Sequence, residues 1–97
     1  VKPSIAAILV PDIRADDGFR PGAIEARKHD GALQGFAFRC PCGCGEEGWL
    51  TTVPVGPDRG WTFTGTIEAP TLHPSVLNSG MECRWHGWLR NGEWVSC

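Results

Sequence analysis

The stretch Arg39-Cys40-Pro41-Cys42-Gly43-Cys44-Gly45 restricts the fold of this chain more than any other. Proline fixes φ and removes an amide donor, while glycine permits the positive φ that turns a backbone around something. Such a segment makes a poor strand and a worse helix, but it can aim several sulfurs at one point. Thiolates converging on a tetrahedral Zn²⁺ are the simplest chemistry that needs this arrangement. Cys83-Arg84-Trp85-His86 adds a Cys-x-x-His pair. The candidate ligands are therefore Cys40, Cys42, Cys44, Cys83, His86 and Cys97, and spacing alone does not select four of them. Strand alternation would put Cys40 and Cys44 on one side, an argument the Pro and Gly kinks weaken. Cys97, last in the sequence, is the easiest to set aside. The competing reading is buried free thiols, a common state for cysteine.

At 97 residues the chain is expected to form one domain, near the size at which a single core is only marginally sufficient. Thirteen Gly and eight Pro limit long helices and favour short strands joined by turns, and a domain of that kind gains from a metal or disulfide staple. A net charge of −2, with basic residues scattered, argues against a nucleic-acid partner. The apolar run Ile5 to Val10 is too short for the core of a signal peptide or for a membrane span. The expectation is a cytoplasmic protein with no membrane partner, in which five cysteines read as metal ligands more readily than as disulfides.

Taken in order, Ile5 to Val10 reads as a short buried strand, with a buried helical turn as the alternative. Asp12 to Gly22 reads as loop, and Ala23 to Lys28 as one or two helical turns. Ala32 to Arg39 reads as a strand feeding the cysteine turn, with Phe36 and Phe38 on one face. Trp49 to Val55 returns, its Pro54 end placed at a sheet edge, and a loop runs through Gly56 to Gly60. Trp61 to Ile67 has the period-two pattern of a half-buried strand. Pro70 to Ser75 must be extended and stiff, and a loop follows at Asn78-Ser79-Gly80. Asn91-Gly92 is a hairpin signal that would pair Cys83 to Arg90 with Glu93 to Cys97. The predicted fold is mainly β: a small antiparallel sheet or partial barrel with a Cys-rich zinc turn and little helix. Residues 1–31 would form an N-terminal strand and loop extension of a core over 32–97.

Two side chains outside the cysteines carry candidate chemistry. His86 can complete a zinc site with Cys83, or act as a general base, which needs a neutral imidazole beside a nucleophile. Ser75 is by default a loop serine. Pro74 before it and Val76-Leu77 after it can nevertheless hold its hydroxyl in one place, as a nucleophile requires. Glu46-Glu47 can orient a histidine or serve a metal-bound water, although a solvated acidic turn is the simpler reading. His29 and His73 show no partner pattern. Trp49, Trp61, Trp85, Trp88 and Trp94 read mostly as packing residues, with Trp88 the first choice for a protein-binding face.

Taken together, Cys40-Pro41-Cys42-Gly43-Cys44-Gly45-Glu46, then Trp61, then Thr71-Leu72-His73-Pro74-Ser75-Val76, then Cys83-Arg84-Trp85-His86-Gly87-Trp88-Leu89 with Asn91-Gly92, resembles one family of small bacterial and phage proteins. Phage members often carry the label ammonia monooxygenase without support. Bacterial members resemble the BubE component of operons that also encode ubiquitin-like proteins and E1- and E2-like enzymes. The resemblance covers roughly the last 60 residues. It implies a serine-type, deubiquitinase-like peptidase that trims a ubiquitin-like precursor or cleaves its conjugates. It also implies Ser75 as nucleophile, His86 as base, and a structural Zn²⁺ held by Cys40, Cys42, Cys44 and Cys83. Where many relatives have Ser-His-Phe, this chain has Trp85-His86-Gly87, so the surroundings of the histidine differ. A third catalytic member does not stand out. The alternative is a non-catalytic zinc module with His86 as a ligand and a tryptophan-rich face for a protein partner. A metal-dependent hydrolase with Glu46 as base ranks last, because Cys-rich sites are usually closed.

Overall fold

The computed structural model describes residues 4–15, 19–53, 60–77 and 83–96. Cys97, the loops expected at Asp16-Asp17-Gly18, Gly56 to Arg59 and Asn78-Ser79-Gly80, and the edge position of Pro54 lie outside the described residues. Nine strands and no helix occur among the described residues: β1 (Ser4–Ala6), β2 (Ile8–Leu9), β3 (Ala23–His29), β4 (Ala32–Arg39), β5 (Glu47–Thr51), β6 (Thr62–Gly65), β7 (Pro70–Leu77), β8 (His86–Arg90) and β9 (Glu93–Ser96). They form a five-stranded sheet in the order β1-β9-β8-β7-β6 and a four-stranded sheet in the order β2-β3-β4-β5. All neighbours are antiparallel except β2 and β3, which run parallel. The expected mainly β fold is the one observed. Among the described residues no helix is long and apolar enough to cross a membrane.

Two local expectations are corrected. Ala23 to Lys28 is not helical but strand β3, paired with β4 from Ile24↔Phe38 onward. Its good helix formers are overridden by tertiary pairing, because Ile24 is fully buried at strand spacing from half-buried Ala26. The two strands are joined at Asp30-Gly31, both at positive φ (50° and 78°), a hairpin turn of the same kind as Asn91-Gly92 (48° and 73°). The apolar run Ile5 to Val10 is not one buried strand either. It splits into β1, in one sheet, and β2, in the other, and its buried members are Ala7 and Val10 while Ile5, Ile8 and Leu9 are more than a third exposed.

The sheets face each other across one core. Phe36 and Phe38 of β4 point into it, with ring centroids 5.8 Å from Phe63 and 5.1 Å from Trp94. Trp94 is almost fully buried, sits edge-on to Trp85 at 5.6 Å, and donates its indole N–H to the Gly22 carbonyl at 2.9 Å. The other face of β4 is also covered. Ala37 packs with Ala23, Val10 and Ile13 beneath the 10–15 segment, which explains why an alanine rather than a polar residue stands between the two phenylalanines.

Candidate functional site

β4 ends where the cysteine stretch begins, and a set of backbone bonds shapes the turn. The Cys40 amide donates to Glu46 O at 2.9 Å and the Gly43 amide to Cys40 O at 3.2 Å, while Gly43 and Gly45 take φ of 91° and 84°. These conformations are costly for residues with a Cβ, so the glycines are what lets the chain fold back. Amides then point at sulfur. The Cys44 N–H reaches Cys42 Sγ at 3.4 Å, and the Cys42 N–H bonds to the Cys40 sulfur. Cys83 lies just before β8, where Arg84 adopts φ 47° and the Trp85 N–H turns onto the Cys83 sulfur.

The result is one group of four sulfurs. Cys40 Sγ is 3.3 Å from Cys42 Sγ and 3.4 Å from Cys83 Sγ, and Cys44 Sγ is 3.6 Å from Cys83 Sγ. All four lie within 4.8 Å of one another, so they can hold a metal ion. A disulfide would need a separation of about 2 Å. Electrostatics divides the group. The Trp85 N–H brings the Cys83 thiol down to about 7, whereas burial pushes Cys40 and Cys42 up. Cys40 is the buried member, and the other three are exposed.

Arg39, which sequence reasoning treated only as a strand residue, clamps this turn. It is 7% exposed, and its Nε donates to Ile13 O at 3.1 Å while Nη1 donates to Gly45 O at 3.0 Å. Phe19 covers the guanidinium at 4.0 Å. One side chain thus ties the 10–15 segment, the chain before β3 and the cysteine turn together. Its position directly before Cys40 was the available signal. A buried cation here also offsets the negative charge that four thiolates would gather.

His86 is not among the four-sulfur group. It opens β8, three residues after Cys83, with its side chain on the outer face of the five-stranded sheet. In the β7–β8 register Leu77 lies opposite His86, so Ser75, two residues back on the same face, is its diagonal neighbour. His86 Nε2 and Ser75 Oγ are 3.0 Å apart. The sequence-predicted pair is therefore in direct hydrogen-bond contact. The Trp61 indole N–H donates to the Ser75 carbonyl at 3.4 Å. Beyond His86 the same face carries Trp88, with ring centroids 6.3 Å apart, and Arg90 stacked on Trp88 at 4.7 Å. Trp88 is half-buried rather than fully exposed; Trp49, at 45%, is the more exposed ring.

The remaining candidates have ordinary settings. Glu47 forms a two-bond ion pair with Arg14 (2.9 and 2.8 Å), whose hydrogen bonding holds its carboxyl below the usual range. Glu46 is exposed, and His29 faces Asp30 at 3.4 Å in solvent. Trp85 explains its glycine neighbour. A Cβ at Gly87 would come within 2.6 Å of the Trp85 ring, so the bulk supplied at position 85 leaves room for none at 87.

No curated protein and no solved structure matches the chain. The family model described as bacterial ubiquitination-like system serine protease (BubE) does match, over residues 11–97, a span that holds the four clustered cysteines, Ser75 and His86. The chain belongs to the BubE family.

Proposed function

We propose that this chain is a serine-type peptidase that processes a ubiquitin-like protein or its conjugates, with Ser75 as nucleophile and His86 as general base. The observation that carries the reading is the 3.0 Å contact between His86 Nε2 and Ser75 Oγ, made by a histidine that stands apart from the four sulfurs. With its proton on Nδ1, the imidazole accepts the Ser75 hydroxyl proton at Nε2 as Oγ bonds to the carbonyl carbon at the end of the ubiquitin-like chain. Collapse of the tetrahedral adduct breaks the bond to the leaving group, which takes the proton back from Nε2. Water then releases the acyl group from Ser75, with the same imidazole as base.

Cys40, Cys42, Cys44 and Cys83 fit a structural Zn²⁺. Four thiolates at the usual Zn–S length of about 2.3 Å, placed tetrahedrally, stand about 3.8 Å apart; three of the sulfur pairs here are 3.3–3.6 Å apart and all four sulfurs lie within 4.8 Å of one another. Such an ion, when bound, cross-links the end of β4 to the approach to β8 and leaves no open position for substrate. A metal-activated water with Glu46 as base is correspondingly disfavoured. Four reduced thiols suit a reducing compartment such as the cytoplasm.

The test is cleavage of a ubiquitin-like precursor by the metal-loaded chain. Ser75→Ala and His86→Ala should each abolish it while leaving the melting temperature unchanged. Full cleavage by Ser75→Ala refutes the reading. A second reading, a non-catalytic zinc module that binds a protein partner, is favoured by the Trp88–Arg90 stack beside exposed Leu77. It predicts no turnover, and binding lost in Trp88→Ala.

A further inference from the structure

We infer that Trp61 is the positioning residue of Ser75, acting through the serine backbone rather than touching the reacting atoms; this rests on Ser75 being the nucleophile. Strand β7 is regularly paired before and after the serine. Leu72 has partners on both sides, Phe63 and Leu89, and Val76 and Leu77 pair with Gly87 and His86. Between them the register with β8 shifts, and the pairing with β6 ends at His73. Pro74 and Ser75 therefore have no register partner on either neighbouring strand among the described residues, and Pro74 has no amide to give.

The interruption falls at the residue whose Oγ meets His86 Nε2 at 3.0 Å. It also removes the ladder bonds that would fix the backbone at that point. Trp61 replaces one of them, because its indole N–H donates to the Ser75 carbonyl. The tryptophan is itself held at its other end. Its backbone N–H donates to Thr51 O at 2.8 Å, at the end of β5 in the other sheet, and its ring packs against the shared core. The serine is thus tied through one side chain to the opposite sheet. Bases aligned with nucleophiles lose rate quickly when either partner drifts.

The experiment compares wild type with Trp61→Phe, which keeps a ring in the core and removes the N–H donor, using the full metal-loaded chain. A fluorophosphonate probe reports the rate of modification at Ser75, and ¹⁵N NMR reports the His86 Nε2 resonance. If Trp61→Phe does not fold, benzothienylalanine at position 61 keeps the bicyclic ring and removes only the N–H. The expected result is modification about three- to tenfold slower, a shifted Nε2 signal, and unchanged metal content. A variant with wild-type rate and wild-type Nε2 signal overturns the inference. If wild-type Ser75 does not react at all, the serine-peptidase reading fails on its own. The Nε2 comparison then decides the role of Trp61 without it.

Discussion

Gly87→Ala tests the packing that supports the histidine directly before it. A Cβ at this position would stand 2.6 and 2.7 Å from two atoms of the Trp85 ring and closer still to Val95 O. Ordinary contacts begin near 3.4 Å, so the ring must retreat by close to an ångström. Trp85 has little room to do so, because it is held edge-on to Trp94 and donates its indole N–H to Ser96 Oγ at 3.1 Å. The Val95 carbonyl belongs to the β8–β9 hairpin, where Gly87 pairs with Ser96 and Trp88 with Val95, so the backbone must shift too. Overpacking of this kind costs about 1–3 kcal/mol, and a domain of this size loses about 4–8 °C of melting temperature per kcal/mol. We expect Gly87→Ala to melt about 5–20 °C below wild type. The assay is thermal unfolding followed by circular dichroism, with metal content matched. Adding Trp85→Phe, which removes the crowding ring atoms, should recover part of the loss, so the two costs should fall short of additive. A Gly87→Ala protein that melts with wild type refutes the reasoning, as do costs that sum.

Two other outcomes follow from the same geometry. Arg39→Met keeps the buried volume but removes the bonds to Ile13 O and Gly45 O, and competition with a chelator should show metal affinity about 10–100-fold weaker; unchanged affinity would remove the clamp from the account. Glu47→Gln should affect only the acid limb. The Arg14 bond holds the Glu47 carboxyl below the ordinary carboxylate range, so its stabilisation is present above that range and disappears as pH falls through the lower folded value. Arg14 is largely exposed and Glu47 partly so, so melting at pH 7 should change little while the wild-type decline on the acid side flattens; a steep drop at pH 7 would contradict this.

The legible parts of the fold were those in which local chemistry and tertiary structure agree. Strand β4 was read with its bounds intact, and Asn91-Gly92 marked its hairpin because both residues must take positive φ. The β3–β4 hairpin was missed although Asp30-Gly31 carries the same signal. Ala, Glu and Lys favour a helix when taken alone, and only pairing with β4 makes that segment a strand. The run Ile5 to Val10 misled because apolar composition does not reveal that a chain will cross from one sheet to the other. The spacing of the cysteines pointed to converging sulfurs, but it could not separate Cys83 from His86. That separation depends on the turn at Arg84, which sends the sulfur one way and lets β8 carry the imidazole another. The contact between Ser75 and His86 was likewise out of reach, since it depends on a register between strands that no single strand encodes.

The separation of His86 from the four clustered cysteines is the central claim, and metal content per chain in the wild type and in folded His86→Ala tests it most directly. The account predicts one zinc in each, carried by Cys40, Cys42, Cys44 and Cys83, with the variant lacking only its base. A wild type with one zinc and a folded variant with none would make His86 a ligand and contradict the account.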